Sequence, residues 1–487
     1  MTKRQIFLAT IALLLANFMG GLDATIVNTA LPVITSQLNG MRYIGWVSST
    51  FLLGTAVTTV LWGQVGAIIG NKRAFQSGLV LFIFSSMLGG LAPNMAVLIA
   101  ARALMGIGAG GMVSIPFIVY ADLYPNAAQR ARAIGWVTVA YTLSTVAGPV
   151  IGGFLVDALS WHWVFFINAP LGLLSFLLLQ VNFKEEKKRQ VNRNFDYLGA
   201  GLLVIALTVL LLASDSLAAS FPRAGILLGL GLVFAIIFYQ VEKGKGDKAL
   251  IPVVLLKDWR IQAQNLILFL LNGFSIGYSV YAPLWAQGLL GTNATLGGLT
   301  QIAASLLLMV GTRVTAHLME IRPHYKWIVV IGTASALFSA ACIVLATQNA
   351  PYWWLIFSGA FEGFGIGLSA VPIQVSIQDG VKQELIGVST TWGLLFRTMG
   401  ETFMSAIFGA VLSLKNNSQL HGKITAALMN KLTNPQSAKS LPAALLPQMK
   451  TILYNSLHTI MLLCLGLTIA AFAINLLRKE PQKQARK

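Results

Sequence analysis

Five ionisable side chains interrupt long apolar runs of the sequence, namely Asp23, Arg102, Glu362, Arg397 and Glu401. Such a residue costs about 2.5–3.5 kcal/mol at the centre of a membrane helix, so a chain retains it where it is paired, hydrated or used. Three of the five are acids and two are bases, which leaves one carboxylate without a cation. A carboxylate in a low-dielectric site favours its protonated form unless a cation is near. Competition between a proton and a lipophilic cation for that group would couple their opposite movements.

The depths of these residues predict which of them can meet. Asp23 and Arg102 lie eight or nine residues from the same end of their apolar segments, about 12–14 Å deep at 1.5 Å per residue. Glu362 and Arg397 both fall near the middle of their segments, and Arg397 and Glu401 are i,i+4 neighbours on one helix face. We therefore expect an Asp23–Arg102 pair and an Arg397–Glu401 pair, with Glu362 as the proton carrier. The alternative is that all five form structural pairs that fix helix orientation.

The elements that carry these charges are membrane-spanning helices. Of the 487 residues, 56% are hydrophobic and 10% are charged, and the mean hydropathy is +0.73. Apolar runs of 18 or more residues are typical of bilayer-spanning helices. The sequence predicts an all-α polytopic membrane protein with fourteen spans, at about 6–33, 43–69, 74–92, 95–121, 133–158, 161–182, 197–214, 224–241, 263–286, 296–317, 327–347, 352–378, 386–413 and 452–477.

The positive charges orient these spans. With the N-terminus inside, 24 Lys and Arg residues fall on the inner side and 7 on the outer side. This asymmetry predicts cytoplasmic termini in the cell membrane, and it accounts for the net charge of +18 without a nucleic-acid partner. Cys342 and Cys464 lie in apolar runs, and the histidines are scattered, so neither a metal site nor an enzyme is expected.

Two glycine-rich segments indicate an internal repeat. Gly106 and Gly108 of span 4 match Gly363 and Gly365 of span 12, and spacings of sixteen and thirteen residues recur. The recurring pairs are Gly106–Asp122 with Gly363–Asp379, and Gly135–Gly148 with Gly387–Gly400. Parallel repeats of this kind are typical of two-bundle transporters. We predict six-helix bundles at 1–190 and 261–487, two inserted helices at 191–260, and an extracellular loop at about 414–451.

Four motifs resemble those of the major facilitator superfamily, specifically its fourteen-span drug:proton antiporter family. They are "LDATIVNTALP" at 22–32, "ARALMGIGAGG" at 101–111, "AGPVIGG" at 147–153 and "SWHWVFFINAPLG" at 160–172. The resemblance implies a proton-coupled exporter of hydrophobic, often cationic compounds, with functional roles at Asp23 and Arg102. It also implies an antiporter motif at Gly148, Pro149, Gly152 and Gly153, which limits leakage.

Two departures from that family pattern stand out. The inner loop motif retains Gly63, Gly70, Lys72 and Arg73, but Ala67 stands where the family carries an aspartate. An inner-gate ion pair through that aspartate is therefore not possible. His162 also stands where the family usually has arginine.

Aromatic and amide residues on central helices are candidates for the substrate pocket, because large apolar pockets with few polar anchors suit varied amphiphiles. These candidates are Asn17, Asn28, Tyr141, Asn272, Tyr278, Trp285, Phe361 and Trp392. The expected partners are amphiphilic small molecules, protons and the lipid bilayer, with no cofactor besides the proton gradient, and we expect a monomer. Alternatives are export of a native lipid or metabolite, import, or a membrane-embedded enzyme.

Overall fold

The computed structural model describes residues 1–38, 44–185, 196–217, 220–246, 249–292, 294–321, 325–419 and 444–478, with a few positions between 424 and 442. Within these ranges the first helices are α1 (Lys3–Gln37), α2 (Ile44–Ile69), α3 (Asn71–Gly90), α4 (Met95–Leu123), α5 (Ala127–Ala158), α6 (Trp163–Phe166) and α7 (Asn168–Asn182). The next are α8 (Tyr197–Ser216), α9 (Phe221–Lys245), α10 (Val253–Lys257) and α11 (Trp259–Gly288). The last are α12 (Ala294–Ile321), α13 (Lys326–Val344), α14 (Tyr352–Asp379), α15 (Ile386–Ser418) and α16 (Leu446–Leu477).

Each of the fourteen predicted segments coincides with helix, and one of them is divided into α6 and α7 at Ile167. Eleven helical segments in the described part are long and apolar enough to cross a membrane. The all-helical fold is thus confirmed, while the count of fourteen crossings stays a prediction. The predicted loop at 414–451 is shorter in the structure, because α15 extends to Ser418 and α16 begins at Leu446. Most of the residues between these two helices lie outside the described residues.

Local sequence signals place several helix starts. The side chains of Asn94 and Asn126 accept hydrogen bonds from the first backbone N–H groups of α4 and α5. Asp196 and Asp258 cap α8 and α11 in the same way. These side chains satisfy donors that a helix start leaves without intrahelical partners.

The start of α1 and the end of α16 lie at one face of the helix bundle. Lys326 at the start of α13 donates to the backbone carbonyl of Leu476 near the end of α16. At the same face, but among the N-terminal helices, Thr10 near the start of α1 lies 2.8 Å from the hydroxyl of Tyr124, which follows α4. Ion pairs between α5 and α14 and between α5 and α12 join these two groups of helices. We call the face of the bundle that carries these contacts the terminal face.

The packing order in α1–α7 resembles that in α11–α16. Helix α4 packs against α2 and α3, and α14 packs against α12 and α13; α1 packs on α5, and α11 packs on α15. Buried apolar residues form two clusters, one mainly from α1–α7 and the other mainly from α8–α16. We call α1–α7 the first half and α11–α16 the second half.

The paired glycines make matching close approaches. A Cβ at Gly106 would collide with the α2 backbone at Phe51, and a Cβ at Gly363 would collide with the α12 backbone at Ala304. Gly108 and Gly365 approach the neighbouring α3 and α13 backbones in the same manner. Small residues allow membrane helices to pack this closely without a hydrophobic driving force.

Candidate functional site

Asp23 and Arg102 form a buried ion pair between α1 and α4. Arg102 Nη1 lies 2.5 Å from Asp23 Oδ2, and the two side chains are 2% and 0% exposed. Arg102 also donates from Nε to the Val47 carbonyl at 3.1 Å, and its guanidinium lies 4.2 Å from the Phe51 ring centre. Asn168 of α7 donates to the other Asp23 oxygen at 3.4 Å. The predicted pairing is therefore found, and it ties α1 and α4 to α2 and α7.

Arg397 and Glu401 form a second pair on α15, in a different environment. Arg397 Nε lies 3.3 Å from Glu401 Oε1, and the side chains are 37% and 39% exposed. The phenol of Tyr141 on α5 lies within electrostatic reach of both residues and is 38% exposed. A charged pair of the second half and a phenol of the first half therefore lie near each other.

Glu362 on α14 is buried at 4% exposure and has no Lys or Arg within ion-pair distance among the described residues. Its Oε1 accepts a hydrogen bond from the Ser275 hydroxyl of α11 at 2.5 Å. The Ser275 hydroxyl is neutral, so it does not balance the charge of a carboxylate at Glu362. The expected inventory of two paired acids and one acid without a cation is found here.

The pocket candidates separate into distinct groups. The amides of Asn17 and Asn272 bond to carbonyls of their own helices, Leu13 and Leu268. The half-buried Trp392 has an indole N–H without a partner in the described structure. Like Tyr141, it lies on a helix that faces the other half. The side chain of Asn28 lies outside the described residues.

Three further aromatic candidates belong to the second half, and their place in a substrate pocket stays a prediction. Tyr278 and Trp285 are 1% and 0% exposed and belong to the core of the second half. Phe361 packs against Phe338 and Phe357, which are exposed on the surface of α13 and α14. Composition alone could not show on which side of a helix these rings lie.

The motif glycines occupy close helix contacts. Gly148 and Gly152 of α5 are buried, and a Cβ at Gly148 would collide with Thr25 of α1. The side-chain surroundings of Pro149 and Gly153 lie outside the described structure. Gly63 of α2 faces Thr391 of α15 so closely that a Cβ would lie 2.7 Å from its hydroxyl. These glycines therefore mark contacts between helices of one half and, at Gly63, between halves.

The inner loop motif forms a hydrogen-bonded corner at the terminal face. Gly70 precedes α3 with a φ of 95°, a conformation that favours glycine. The backbone N–H groups of Asn71 and Lys72 donate to Glu185 at 2.6 and 3.2 Å. Lys72 also donates to the Phe183 carbonyl, and its partial burial lowers its pKa. Arg73 is exposed.

Ion pairs that sequence reasoning missed join the two halves at the terminal face. Arg130 of α5 lies 2.6 Å from Asp379 of α14, and Arg132 lies 2.5 Å from Glu320 of α12. Ala67, in place of the family aspartate, is exposed and takes no part in these pairs. The signal was present, because Asp379 is the repeat counterpart of Asp122 and the two arginines open α5.

No group of three His, Cys, Asp or Glu residues in the described part of the chain could hold a metal ion. The charged and polar side chains of the site lie on α1, α4, α11, α14 and α15. What it can do chemically is bind cations, anions and protons.

The chain is similar to known transporters over most of its length. It is 29% identical to the multidrug transporter protein MdtP of Bacillus subtilis, covering 94% of this chain and 90% of that protein. It is 25% identical to multidrug resistance protein 3 of the same organism, covering 97% and 95%. It is 27% identical to the efflux pump roqT of Penicillium rubens, covering 90% and 84%.

Solved structures show the same fold at low sequence identity. The proton:xylose symporter XylE superposes with a TM-score of 0.65 at 14% identity, covering 99% of this chain and 98% of that chain. The human organic anion transporter MFSD10 superposes with a TM-score of 0.61 at 15% identity, covering 95% and 99%. The family model described as Major Facilitator Superfamily matches residues 13–405. The chain belongs to the Major Facilitator Superfamily.

Proposed function

We propose that this protein is a proton-coupled antiporter that exports hydrophobic, often cationic compounds across the cell membrane by alternating access. The carrying observation is the buried carboxylate of Glu362, which has a hydroxyl partner and no cation in the described structure. Named relatives that are multidrug transporters or efflux pumps support export as the direction.

In this proposal the three carboxylates have different roles. Glu362 takes up a proton because burial penalises its charged form. Glu401, half-exposed beside Arg397, attracts a cationic substrate into the space between the halves. Asp23 and Arg102 hold the first half in one arrangement, and a cation that competes for Asp23 would loosen it. Proton and substrate then favour different conformations, which is the condition for coupling two movements.

Alternating access requires two rigid halves that rock against each other. The matching helix order of α1–α7 and α11–α16 supports two such halves, with α8 and α9 as inserted helices. The ion pairs Arg130–Asp379 and Arg132–Glu320 join the halves at the terminal face. We infer that they form the inner gate, that this face is cytoplasmic, and that the gate is closed in this conformation.

Reconstitution tests the proposal. The purified protein is placed in liposomes with an acidic interior and a pH-sensitive dye, and ethidium is added outside as a lipophilic cation. The expected result is proton efflux that depends on ethidium and on the protein. Ethidium accumulation with no change in internal pH would overturn proton coupling, and no accumulation would overturn drug transport.

A further inference from the structure

Buried amides without hydrogen-bond partners lie along the seam where α11, α14 and α15 meet. Asn265 is 0% exposed, and neither its Oδ1 nor its Nδ2 has a hydrogen-bond partner among the described residues. Gln374 is 4% exposed with an unpartnered Nε2, and Gln264 is 0% exposed with an unpartnered Oε1. Buried polar groups in proteins are almost always hydrogen-bonded, so this concentration of unmet donors and acceptors points to something that binds there.

The amides of Asn265 and Gln374 share one space beside Gly393. A Cβ at Gly393 would lie 3.3 Å from Asn265 Oδ1 and 3.6 Å from Gln374 Oε1. The three residues come from three different helices at a similar depth, about 8–10 Å from the terminal-face ends of those helices at 1.5 Å per residue. Gly393 carries no side chain, and a Cβ there would contact both amide oxygens and also lie 3.3 Å from Ile377 Cδ1.

The polar positions continue from this space toward the central charges. Arg397 follows Gly393 by one turn of α15, and Glu401 follows by another. On α11, Asn272 follows Asn265 by seven residues, which returns it to the same face of the helix. The seam therefore reaches the charged pair in the middle of the second half.

The polar positions also continue toward the terminal face. Gln378 follows Gln374 by one turn of α14 and is 0% exposed. Its amide nitrogen donates to the Thr390 hydroxyl at 3.1 Å and to the Phe117 carbonyl of the first half at 3.2 Å. Its Oε1 has no partner in the part of the chain that the structure describes. Polar groups thus extend along the seam from the inner-gate contacts to the central charges.

We propose that this seam holds a chain of ordered water that carries protons between the central carboxylates and the terminal face. The inference rests on the proposed antiport function. Water donates and accepts at once, so it can satisfy both groups of Asn265, and buried water typically makes about three hydrogen bonds.

The proton balance is simple. A central carboxyl group gives its proton to the nearest water, each water passes one proton to the next, and one proton enters bulk solvent at the terminal face. The amides stay neutral and serve only to position the water.

Two substitutions interrupt the chain in different ways. Asn265→Leu removes both hydrogen-bonding groups, and Gly393→Ala keeps the amides but places a methyl group against them. Thr468→Val is the matched control, because Thr468 is 0% exposed in the same half and its hydroxyl bonds to the Leu465 carbonyl of its own helix. Asn265→Ser is the rescue variant, since a hydroxyl can hold water in both directions.

The readout separates proton movement from substrate movement. Substrate counterflow in liposomes at equal pH needs no net proton transfer, whereas uptake driven by a pH gradient does. Asn265→Leu and Gly393→Ala should slow gradient-driven ethidium uptake at least tenfold and change counterflow less than twofold, while Thr468→Val changes neither. Asn265→Ser should recover most of the gradient-driven rate.

Three results would overturn the inference. Both rates could fall together in Asn265→Leu and Gly393→Ala, which would make the seam merely structural. A second such result is that both rates stay at the wild-type value, which would show that the amides have no role in proton movement. If the wild type shows counterflow but no gradient-driven uptake, the antiport proposal itself is wrong, and the water chain falls with it.

Discussion

Arg130 and Asp379 join the two halves of the helix bundle at the terminal face, with 2.6 Å between Nη2 and Oδ1. They are 249 residues apart in the sequence. The Arg130 side chain is completely buried, and Asp379 is 16% exposed. The neighbouring Arg132–Glu320 pair has the same chemistry but is 59% and 39% exposed. Burial therefore distinguishes a strong contact between the halves from a weak one.

Arg130→Ala should open the terminal face more often, because it leaves Asp379 without this cation at the closed interface. We expect about a tenfold faster reaction of a cysteine placed at the buried Ser389 with a permeant thiol reagent. Arg132→Ala is the control, since exposed pairs contribute about 0–1 kcal/mol, and it should change the rate less than twofold. The charge exchange of Arg130→Asp with Asp379→Arg should restore slow labelling. A larger effect of Arg132→Ala would contradict the assignment of the gate.

Arg102→Ala should abolish transport while the protein still inserts into the membrane. It strands the buried Asp23 carboxylate, and breaking a buried pair typically costs about 3–5 kcal/mol. Thermal unfolding in detergent should show a large loss of stability, which adding Asp23→Asn should partly recover. Normal drug efflux by Arg102→Ala would show that the span-4 arginine has no role here.

Glu362→Gln and Glu401→Gln should differ in proton release. Glu362 has no cationic partner within the described structure, whereas Glu401 shares a helix face with Arg397. Near neutral pH, Glu362→Gln should lose the substrate-induced proton release of the detergent-solubilised protein. Glu401→Gln should keep most of it and lower stability by stranding Arg397.

Asp23→Asn completes that comparison, and it should impair transport of monovalent cations. If neither glutamine variant changes proton release while Asp23→Asn removes it, coupling resides in the first half. The assignment of the proton to Glu362 would then be wrong.

Asp196 should make the stability of the protein sensitive to acid. It lies at the start of α8 and pairs with Lys245 at the end of α9. Burial opposes its ionisation, but hydrogen bonds from Lys245 and from the Gly199 N–H outweigh that effect and lower the pKa of Asp196. A carboxyl with a lowered pKa in the folded state stabilises the protein above its unfolded pKa, near 3.9, and loses that contribution as the pH falls below it.

Two variants separate the contribution of the Asp196–Lys245 ion pair from that of the helix cap. Asp196→Asn keeps the helix cap and loses the ion pair, so it should remove the loss of stability that the wild type shows as the pH falls below the unfolded pKa, near 3.9. Asp196→Ala also loses the cap, at about 1 kcal/mol. Melting temperatures over this pH range are the measurement, and an unchanged acid profile in Asp196→Asn would refute the pair's role.

The loop before α16 should be extracellular. Thirteen of the fourteen predicted spans precede it, and an odd number of crossings from a cytoplasmic N-terminus ends on the outer side. A cysteine at Ser437 should react with a membrane-impermeant thiol reagent added to intact cells, and one at Lys3 should not. Reaction of the Ser437 position only in inverted vesicles would reverse the proposed orientation.

The sequence by itself determined the helices and the inventory of embedded charge. Apolar runs of about twenty residues must form helices in lipid because every backbone group needs an internal partner, and the predicted segments coincide with helix throughout the described chain. Depth along a helix is also a sequence property, so the Asp23–Arg102 pair could be predicted from spacing. The i,i+4 relation of Arg397 and Glu401 required no tertiary information.

Only the tertiary structure decided which groups meet across helices and which faces are buried. Arg130 and Asp379 meet because the two halves close at the terminal face, a contact that local periodicity does not encode. Tyr278 and Trp285 turned out to be buried because helix rotation, set by packing against neighbours, decides where an aromatic ring points. Helix rotation also brings the amides of Asn265 and Gln374 together beside Gly393. These residues lie on three different helices, so spacing along any one helix could not predict that they are neighbours.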